Sequence, residues 1–525
     1  MNRVLLFLIS VIPLTGQVPY ERLLRAYTEP GNWLTYSGNY QGHRYSTLDQ
    51  INTVNVAGLK VAWMYQIRAR HKLETSPLVF DGIMYITEPP GDVAALDLRT
   101  GRPIWTYRRA LPKGIIVCCG QVNRGLAALD DQLFVGTVDA HLVALDMKTG
   151  RVRWDVEVAD YKAAYSITVA PLALKDKVIV GIAGAEYGIR GFLDAYDART
   201  GKRAWRFWTC PGPSEPGNET WSGDSWKTGG APTWVTGAYD PEANLVYWGT
   251  GNPGPDFIGD DRLGDNLYSD ALLALDADTG KLKWYFQFTP HDVNDMDSNQ
   301  VPVLVDAVFR GAPRKLVLFA NRNGFYYVLD RLTGEFLAGR QFARQNWAQG
   351  LDARGRPIPN PAAIPSAEGA LVYPDDDGTA NWFSPSYNPQ TKLFYQNVRE
   401  KGGVYHRTEA PYEPGKLFTG ASRRNVPGEE PWGALRALDP LTGEVRWEFK
   451  VHSPPWCGLL STAGGLVFGG EEEGSFFALD AATGKPLWMF QAGARVASNP
   501  ISYLHEGKQY VAVAAGHAIM VFTLE

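Results

Sequence analysis

The sequence predicts an all-β fold, an eight-bladed β-propeller of four-stranded antiparallel blades, on three observations. A short phrase that ends one strand, turns and opens the next recurs along the chain. Most copies lie about fifty residues apart, which fits four short strands and their connections. The segments between copies are rich in Val, Phe, Tyr and Leu and show hardly any sustained helical period.

The phrase reads ALDLRTGRPIW from Ala95, ALDMKTGRVRW from Ala144, AYDARTGKRAW from Ala195 and ALDADTGKLKW from Ala274. It returns as VLDRLTGEFLAG from Val328, ALDPLTGEVRW from Ala437 and ALDAATGKPLW from Ala478, with a weaker YNPQTKLFY from Tyr387. The apolar residue before Asp ends a strand, and D-x-x-T-G makes a tight turn whose glycine tolerates positive φ. The Trp opens the next strand and can pack between neighbouring sheets. Asp97, Asp146, Asp197, Asp276, Asp330, Asn388, Asp439 and Asp480 serve as blade markers. A further turn at Tyr239-Asp240-Pro241 keeps nine blades open on spacing alone. Radial repetition covers sheet edges that would otherwise invite aggregation. The Pro-, Gly- and Ala-rich stretch from Arg340 to Gly378 reads as a long excursion over one face.

The chain opens with MNRVLLFLISVIPLTG, one arginine followed by the apolar run Val4 to Pro13. The run is too short to span a bilayer comfortably and reads as a secretion signal over 1–16, cleaved near Gly16 or Gln17. Residues 17–525 then form one propeller domain in an exported, periplasmic protein. No later stretch has the apolar length of a transmembrane helix, so an integral membrane protein is not expected. The net charge is −5, from 51 basic and 56 acidic residues in even mixture, which argues against a nucleic-acid partner. The four cysteines are Cys118, Cys119, Cys210 and Cys457. They form no CxxCH haem attachment motif and are too scattered for a zinc cluster.

Propellers also serve as binding platforms, so function rests on polar residues that interrupt the repeat. The adjacent Cys118 and Cys119 can join only in a strained eight-membered ring; two small buried thiols are the plainer reading. HDVNDMDSNQ, from His291, crowds Asp292, Asp295 and Asp297, which repel unless solvent or cations compensate. Glu186 stands among small residues in GIAGAEYGIRG, and Asn252 follows a strand in YWGTGNPGP. Oxygens from Glu186, Asn252, Asp295 and Asp297 suit a hard cation, whereas each residue alone also suits a solvated loop.

CCGQVNRGLA, TVAP, GAEYGIRGFLDAYD, YWGTGNPGP, HDVNDMD and NRNGFYYVLDR occur in this order, between GNWLTYSGNYQGHRYSTLDQIN near Gly31 and GKQYVAVAAG near Gly507. In these motifs and their order the chain resembles the alcohol dehydrogenases that depend on pyrroloquinoline quinone (PQQ), eight-bladed quinoproteins that include methanol and ethanol dehydrogenases. The resemblance implies PQQ and one metal ion. It implies that Cys118 and Cys119 form a vicinal disulfide on one face of the quinone, with Trp234 stacked beneath the other. Glu74, Arg124 and Thr168 would meet the polar rim of PQQ, a guanidinium being suited to its carboxylates. Glu186, Asn252 and Asp295 match metal positions, Arg322 the basic residue near the reactive oxygens, and Asn381 and Trp382 a later pair facing the cofactor. Trp456 borders the pocket. Asp295 is the candidate base for the alcohol hydroxyl, with hydride passing to the quinone. The partners so implied are an alcohol substrate and a separate cytochrome c or other periplasmic electron acceptor; a homodimer is compatible.

Asp297 follows the expected base by two residues, as in the lanthanide-using branch of that family. An extra carboxylate favours a trivalent ion, so a lanthanide is expected, with calcium as the alternative. The same DMD phrase resembles the membrane-linked glucose and quinate quinoproteins, which lack the adjacent cysteines. Three departures argue against a methanol-specific enzyme. Asn294 stands where relatives usually have Trp, making room for a larger or more polar substrate. Ala183 replaces a serine, and Gly120 follows the cysteines where an acidic residue is common. A polyol or sugar dehydrogenase using the same cofactor is the alternative enzyme, and a noncatalytic binding propeller the remaining one. Cys210 and Cys457 have no assigned role.

Overall fold

The structure, a computed structural model, describes residues 17–68 and 71–525. The apolar opening read as a secretion signal lies outside the described residues. Eight blade sheets succeed one another along the chain; seven are four-stranded and antiparallel, and that of Leu460–Gln491 gains a fifth strand, Tyr45–Ser46, parallel to Leu460–Thr462. Seven of them span Leu78–Tyr107, Ala127–Glu157, Leu172–Trp208, Ala238–Gln287, Val303–Gln341, Ser386–Val451 and Leu460–Gln491. The eighth is assembled from both ends of the described chain. Lys60–Gln66 pairs antiparallel with Ala518–Thr523, which continues to Lys508–Ala515 and Ile501–His505. That shared blade closes the ring, so no sheet edge is left between the first and last repeats.

Each D-x-x-T-G turn joins the third strand of a blade to its fourth. In the first copy the Thr100 N–H and hydroxyl both donate to Asp97 Oδ1, at 2.9 and 2.7 Å, and Gly101 N–H donates to Asp97 O. The glycine is required twice over. Gly101 has φ +67°, and a Cβ there would come within 2.4 Å of the Trp63 ring from the neighbouring blade. The same indole donates its N–H to the Leu98 carbonyl at 2.8 Å. Trp105, Trp154, Trp205, Trp284 and Trp447 repeat this docking onto the carbonyls of Met147, Ala198, Ala277, Arg331 and Ala481. The blade of Val328 lacks the Trp, and the Tyr326 hydroxyl reaches Pro440 O instead. In these copies the Trp is therefore an inter-blade bolt, its ring seated on the next turn; Trp488 of the last copy instead packs against Phe476 and Phe522. Replacing Gly280 by Ala, where a Cβ would lie 2.5 Å from the Trp205 ring at φ +69°, is expected to destabilise the protein by about 1–3 kcal/mol. An unchanged denaturation midpoint would refute this account of the repeat.

The blade number agrees with the sequence, but two markers fall differently. Asn388 and Asp439 belong to a single blade, the first between its first two strands and the second between its last two. Asp240 occupies the same kind of first turn in its own blade, which removes the ninth blade. The closing blade carries no D-x-x-T-G, because its outer strand arrives from the other end of the chain.

The excursion after Arg340 forms a hairpin, Ala348–Leu351 with Pro357–Pro359, and then the strand Ala370–Val372. This strand pairs with Gly403–Arg407, itself paired with Ala421–Asn425, to make a three-stranded cap. Among the described residues no helix is long and apolar enough to cross a membrane.

Candidate active site

In an antiparallel blade the start of the first strand and the end of the second lie at one end of the sheet. The D-x-x-T-G turns lie at the other. Glu74, Arg124, Thr168, Trp234, Trp382 and Trp456 each stand just ahead of a blade's first strand. Glu186, Asn252 and Arg322 each stand just past a second strand. The ring thus gathers them at the end opposite the D-x-x-T-G turns.

There they line one cavity of about 630 Å³. Its walls include Glu74, Cys118, Cys119, Arg124, Thr168, Glu186, Trp234, Asp295, Asp297, Arg322, Asn381, Trp382 and Trp456. Asn252 stands directly behind the wall, its backbone N–H donating to Asp297 Oδ1 at 2.9 Å. Every residue expected to hold the cofactor or the metal is therefore at or against this cavity.

Cys118 and Cys119 are joined by a disulfide, with Cys119 in left-handed backbone at φ +62°. Their sulfurs and a Glu186 carboxylate oxygen lie within 4.8 Å of one another. Arg124 donates to Thr168 Oγ1 at 2.9 Å and forms an ion pair with Glu74 at 2.8 Å. Its guanidinium lies 4.8 Å from the Trp234 ring and 5.2 Å from the Trp382 ring. The Trp234 N–H lies 3.2 Å from Asp297 Oδ2, and with the Asn299 amide turned it also meets the Asn299 oxygen at 2.9 Å. Cys210 and Cys457 are buried free thiols, and burial pushes both up to about 12.

The acidic loop is shaped by Asp292, whose carboxylate accepts the N–H groups of Asn294 at 2.8 Å and Met296 at 2.6 Å. This staple holds Asp295 in left-handed backbone at φ +57°, a conformation a non-glycine residue keeps only when its surroundings enforce it. Arg322 bridges the loop, donating to Asp295 Oδ2 at 3.2 Å, to Asp297 Oδ2 and to the Asp376 carbonyl. Burial pushes Asp295 well above the carboxylate range, against the pull of Arg322. Burial also raises Glu186 to about 7 and Asp292 to about 6. The ion-free folded protein therefore binds more protons than the unfolded chain between about pH 4 and 7. Its stability is expected to fall as pH rises through that window, and bound cation should flatten the slope. Denaturation of chelated protein between pH 5 and 8 checks this; a rising or flat stability would contradict it.

Several wall residues gave no sequence signal strong enough to be named: Lys72, Asp256, Phe257, Asp376, Asp377, Thr419 and Arg423. Asp256 directly follows the YWGTGNPGP phrase, and the others sit outside the repeat, Arg423 on a strand of the cap. Asn294 corrects an expectation. It does not line the cavity; its amide donates to Ala363 O at 3.0 Å and tethers the excursion. Ala183 does line it.

The residues fit a polar ring and a hard cation. Arg124 Nε, Arg322 Nε and Asp256 Oδ1 are buried without an aligned hydrogen-bond partner among the described residues. Buried groups left so are costly unless something else meets them. The oxygens of Glu186, Asp295 and Asp297 are the donors that such a cation takes.

The family model described as the glucose, ethanol and alcohol dehydrogenase β-propeller domain with PQQ matches residues 33–345 and 429–511. A quinoprotein alcohol dehydrogenase of Pseudomonas putida is 40% identical over 526 residues, covering 95% of this chain and 88% of the relative. A lanthanide-dependent methanol dehydrogenase of Methylacidiphilum fumariolicum is 37% identical over 529 residues, with 94% and 86% covered. Among solved structures, a europium-containing methanol dehydrogenase superposes with a TM-score of 0.91 at 34% identity, covering 96% of this chain and all of that one. The quinohemoprotein alcohol dehydrogenase of Comamonas testosteroni has a TM-score of 0.91 at 36% identity, with 96% and 84% covered. A ring of eight blades, a polar cavity with a vicinal disulfide, and a match running along most of the sequence lead to one assignment: the chain belongs to the PQQ-dependent alcohol dehydrogenases, quinoprotein enzymes that oxidise an alcohol with PQQ and a metal ion.

Proposed function

We propose that this enzyme is exported to the periplasm and holds PQQ between the Cys118–Cys119 disulfide and Trp234, beside one lanthanide ion. Residues 17–525 act as one PQQ-binding unit once the leader 1–16 is removed. The carrying observation is that Glu186, Asp295, Asp297 and Arg322 share one cavity with the disulfide and Trp234. Glu74, Arg124 and Thr168 would hold the polar rim, with Asn381, Trp382 and Trp456 on the remaining wall. Glu186, Asn252, Asp295 and Asp297 would hold the ion.

The bound group supplies a quinone able to accept two electrons, with a carbonyl that a multivalent cation polarises. The protein's own part is proton and charge management. Asp295 accepts the hydroxyl proton of the alcohol, and Arg322 keeps its carboxylate oriented and charged until then. Electrons then leave to a separate cytochrome c or similar acceptor, in keeping with a sequence that contains no CxxCH.

Reconstitution of the metal-free protein with PQQ and either lanthanum or calcium tests the ion. Dye-linked alcohol oxidation is expected with lanthanum and weakly or not at all with calcium; full activity with calcium and none gained from lanthanum would overturn the lanthanide reading. A polyol or sugar substrate is a second reading, favoured by the charged rim of Lys72, Asp376 and Arg423. A panel of primary alcohols, diols and sugars separates the two.

A further inference from the structure

We propose that Asp256 is an additional ligand of the cation, joining Glu186, Asn252, Asp295 and Asp297. This rests on the reading that a multivalent ion occupies the cavity.

The backbone on both sides of Asp256 is fixed. The Pro255 carbonyl accepts from Arg262 at 3.0 Å, and Phe257 N–H donates to Thr419 O of the cap at 2.9 Å. Its side chain lines the same cavity as Glu186, Asp295 and Asp297. Asp256 is only 2% exposed, and its Oδ1 has no hydrogen-bond partner among the described residues.

A structural ion pair does not account for it. Arg262, the nearest cation behind the wall, spends its terminal nitrogens on Asn266 Oδ1, Pro255 O and Asp292 O. The strongest opposite charges on Arg262 are Asp292 and Asp270, ahead of Asp256. What faces the Asp256 carboxylate most strongly is another carboxylate, Glu186; the Asn252 amide eases this in part, and Asp297 adds to the repulsion. A lone buried carboxylate among like charges is a costly arrangement. A cation shared by all of them turns the same arrangement into a binding site. Glu186, Asp256, Asp295 and Asp297 bring four carboxyl groups to one wall of the cavity against the Arg322 guanidinium, a surplus of acidic groups that suits a multivalent cation.

Europium provides a readout independent of turnover. The full-length protein is titrated with Eu³⁺ alone, and its luminescence decay in H₂O and D₂O counts the water molecules on the bound ion. Asp256→Asn, which keeps the side-chain volume, is expected to weaken Eu³⁺ binding by about tenfold or more. It should also bring at least one more water onto the ion, and weaken Ca²⁺ binding less. Asp256→Ser carries the same expectation should the amide not be tolerated. Unchanged hydration and affinity in these variants, with wild type binding Eu³⁺ normally, would overturn the role of Asp256 alone. Failure of wild type to take up Eu³⁺ would instead overturn the multivalent-ion reading beneath it.

Discussion

Asp295→Asn is expected to lower alcohol turnover by about 10²–10⁴-fold, the usual worth of a positioned general base, while PQQ remains bound. The expectation follows from how the residue is held. Asp292 staples the loop through the N–H groups of Asn294 and Met296, which forces Asp295 into positive φ and points its carboxylate at the cavity. Arg322, 3.2 Å away, pulls down a carboxyl that burial pushes up. The group is thus kept available as an acceptor in surroundings that favour its protonated form, the condition under which a carboxylate takes a proton readily. An amide in the same place retains an oxygen toward the ion but accepts no proton. Dye-linked rates alongside the absorbance of bound PQQ separate the two effects. An unchanged rate would reject the base; loss of PQQ together with activity would make Asp295 a holding group instead.

The sequence made the scaffold legible because one packing rule repeats. Each Trp needs a glycine and a carbonyl on the next blade, so the turn and its bolt recur as text. It misled where the rule bends. Asn388 imitates the aspartate turn, with Gln390 and Thr391 N–H groups donating to its side-chain oxygen, yet it joins a blade's first two strands. The closing blade is silent because its strands turn at Gly507 and Gly516 rather than at D-x-x-T-G. The candidate site was readable by another route. The resemblance to a known family implied Glu74, Arg124, Thr168, Trp234 and Trp382, and the structure sets each of them just ahead of a blade's first strand. Asp376, Asp377, Thr419 and Arg423 obey no such periodicity. Their partners lie far off in the sequence, Asp377 meeting Arg399 and Lys401, and no spacing announces that Arg423 meets Asp375 and Asp376. Asp256 was hidden differently: it directly follows a recognisable phrase, but its neighbour Phe257 is held by Thr419, a contact the local sequence does not reveal.

Asp297→Asn should cost lanthanide-supported activity about 10–100-fold, in line with the loss of one oxygen partner from a metal site, and cost calcium-supported activity far less. The substitution is chosen because Asp297 does more than carry charge. Its Oδ1 accepts the Asn252 N–H at 2.9 Å, and its Oδ2 faces both the Trp234 indole and Arg322. Asparagine keeps an oxygen for Asn252, removes the charge, and replaces Oδ2 by an NH2 group that cannot accept from Trp234 or Arg322. Arg322 then loses one of two buried carboxylates and leans on Asp295, a change felt whichever ion is present. The informative quantity is therefore the ratio of lanthanum-supported to calcium-supported rates, each measured at saturating ion. Removing one negative charge from a site that balances a trivalent ion shifts that ratio toward calcium. A purely positional role for Asp297, through Asn252 and Arg322, would depress both rates equally, and equal loss is the result that would strip Asp297 of its part in choosing the ion.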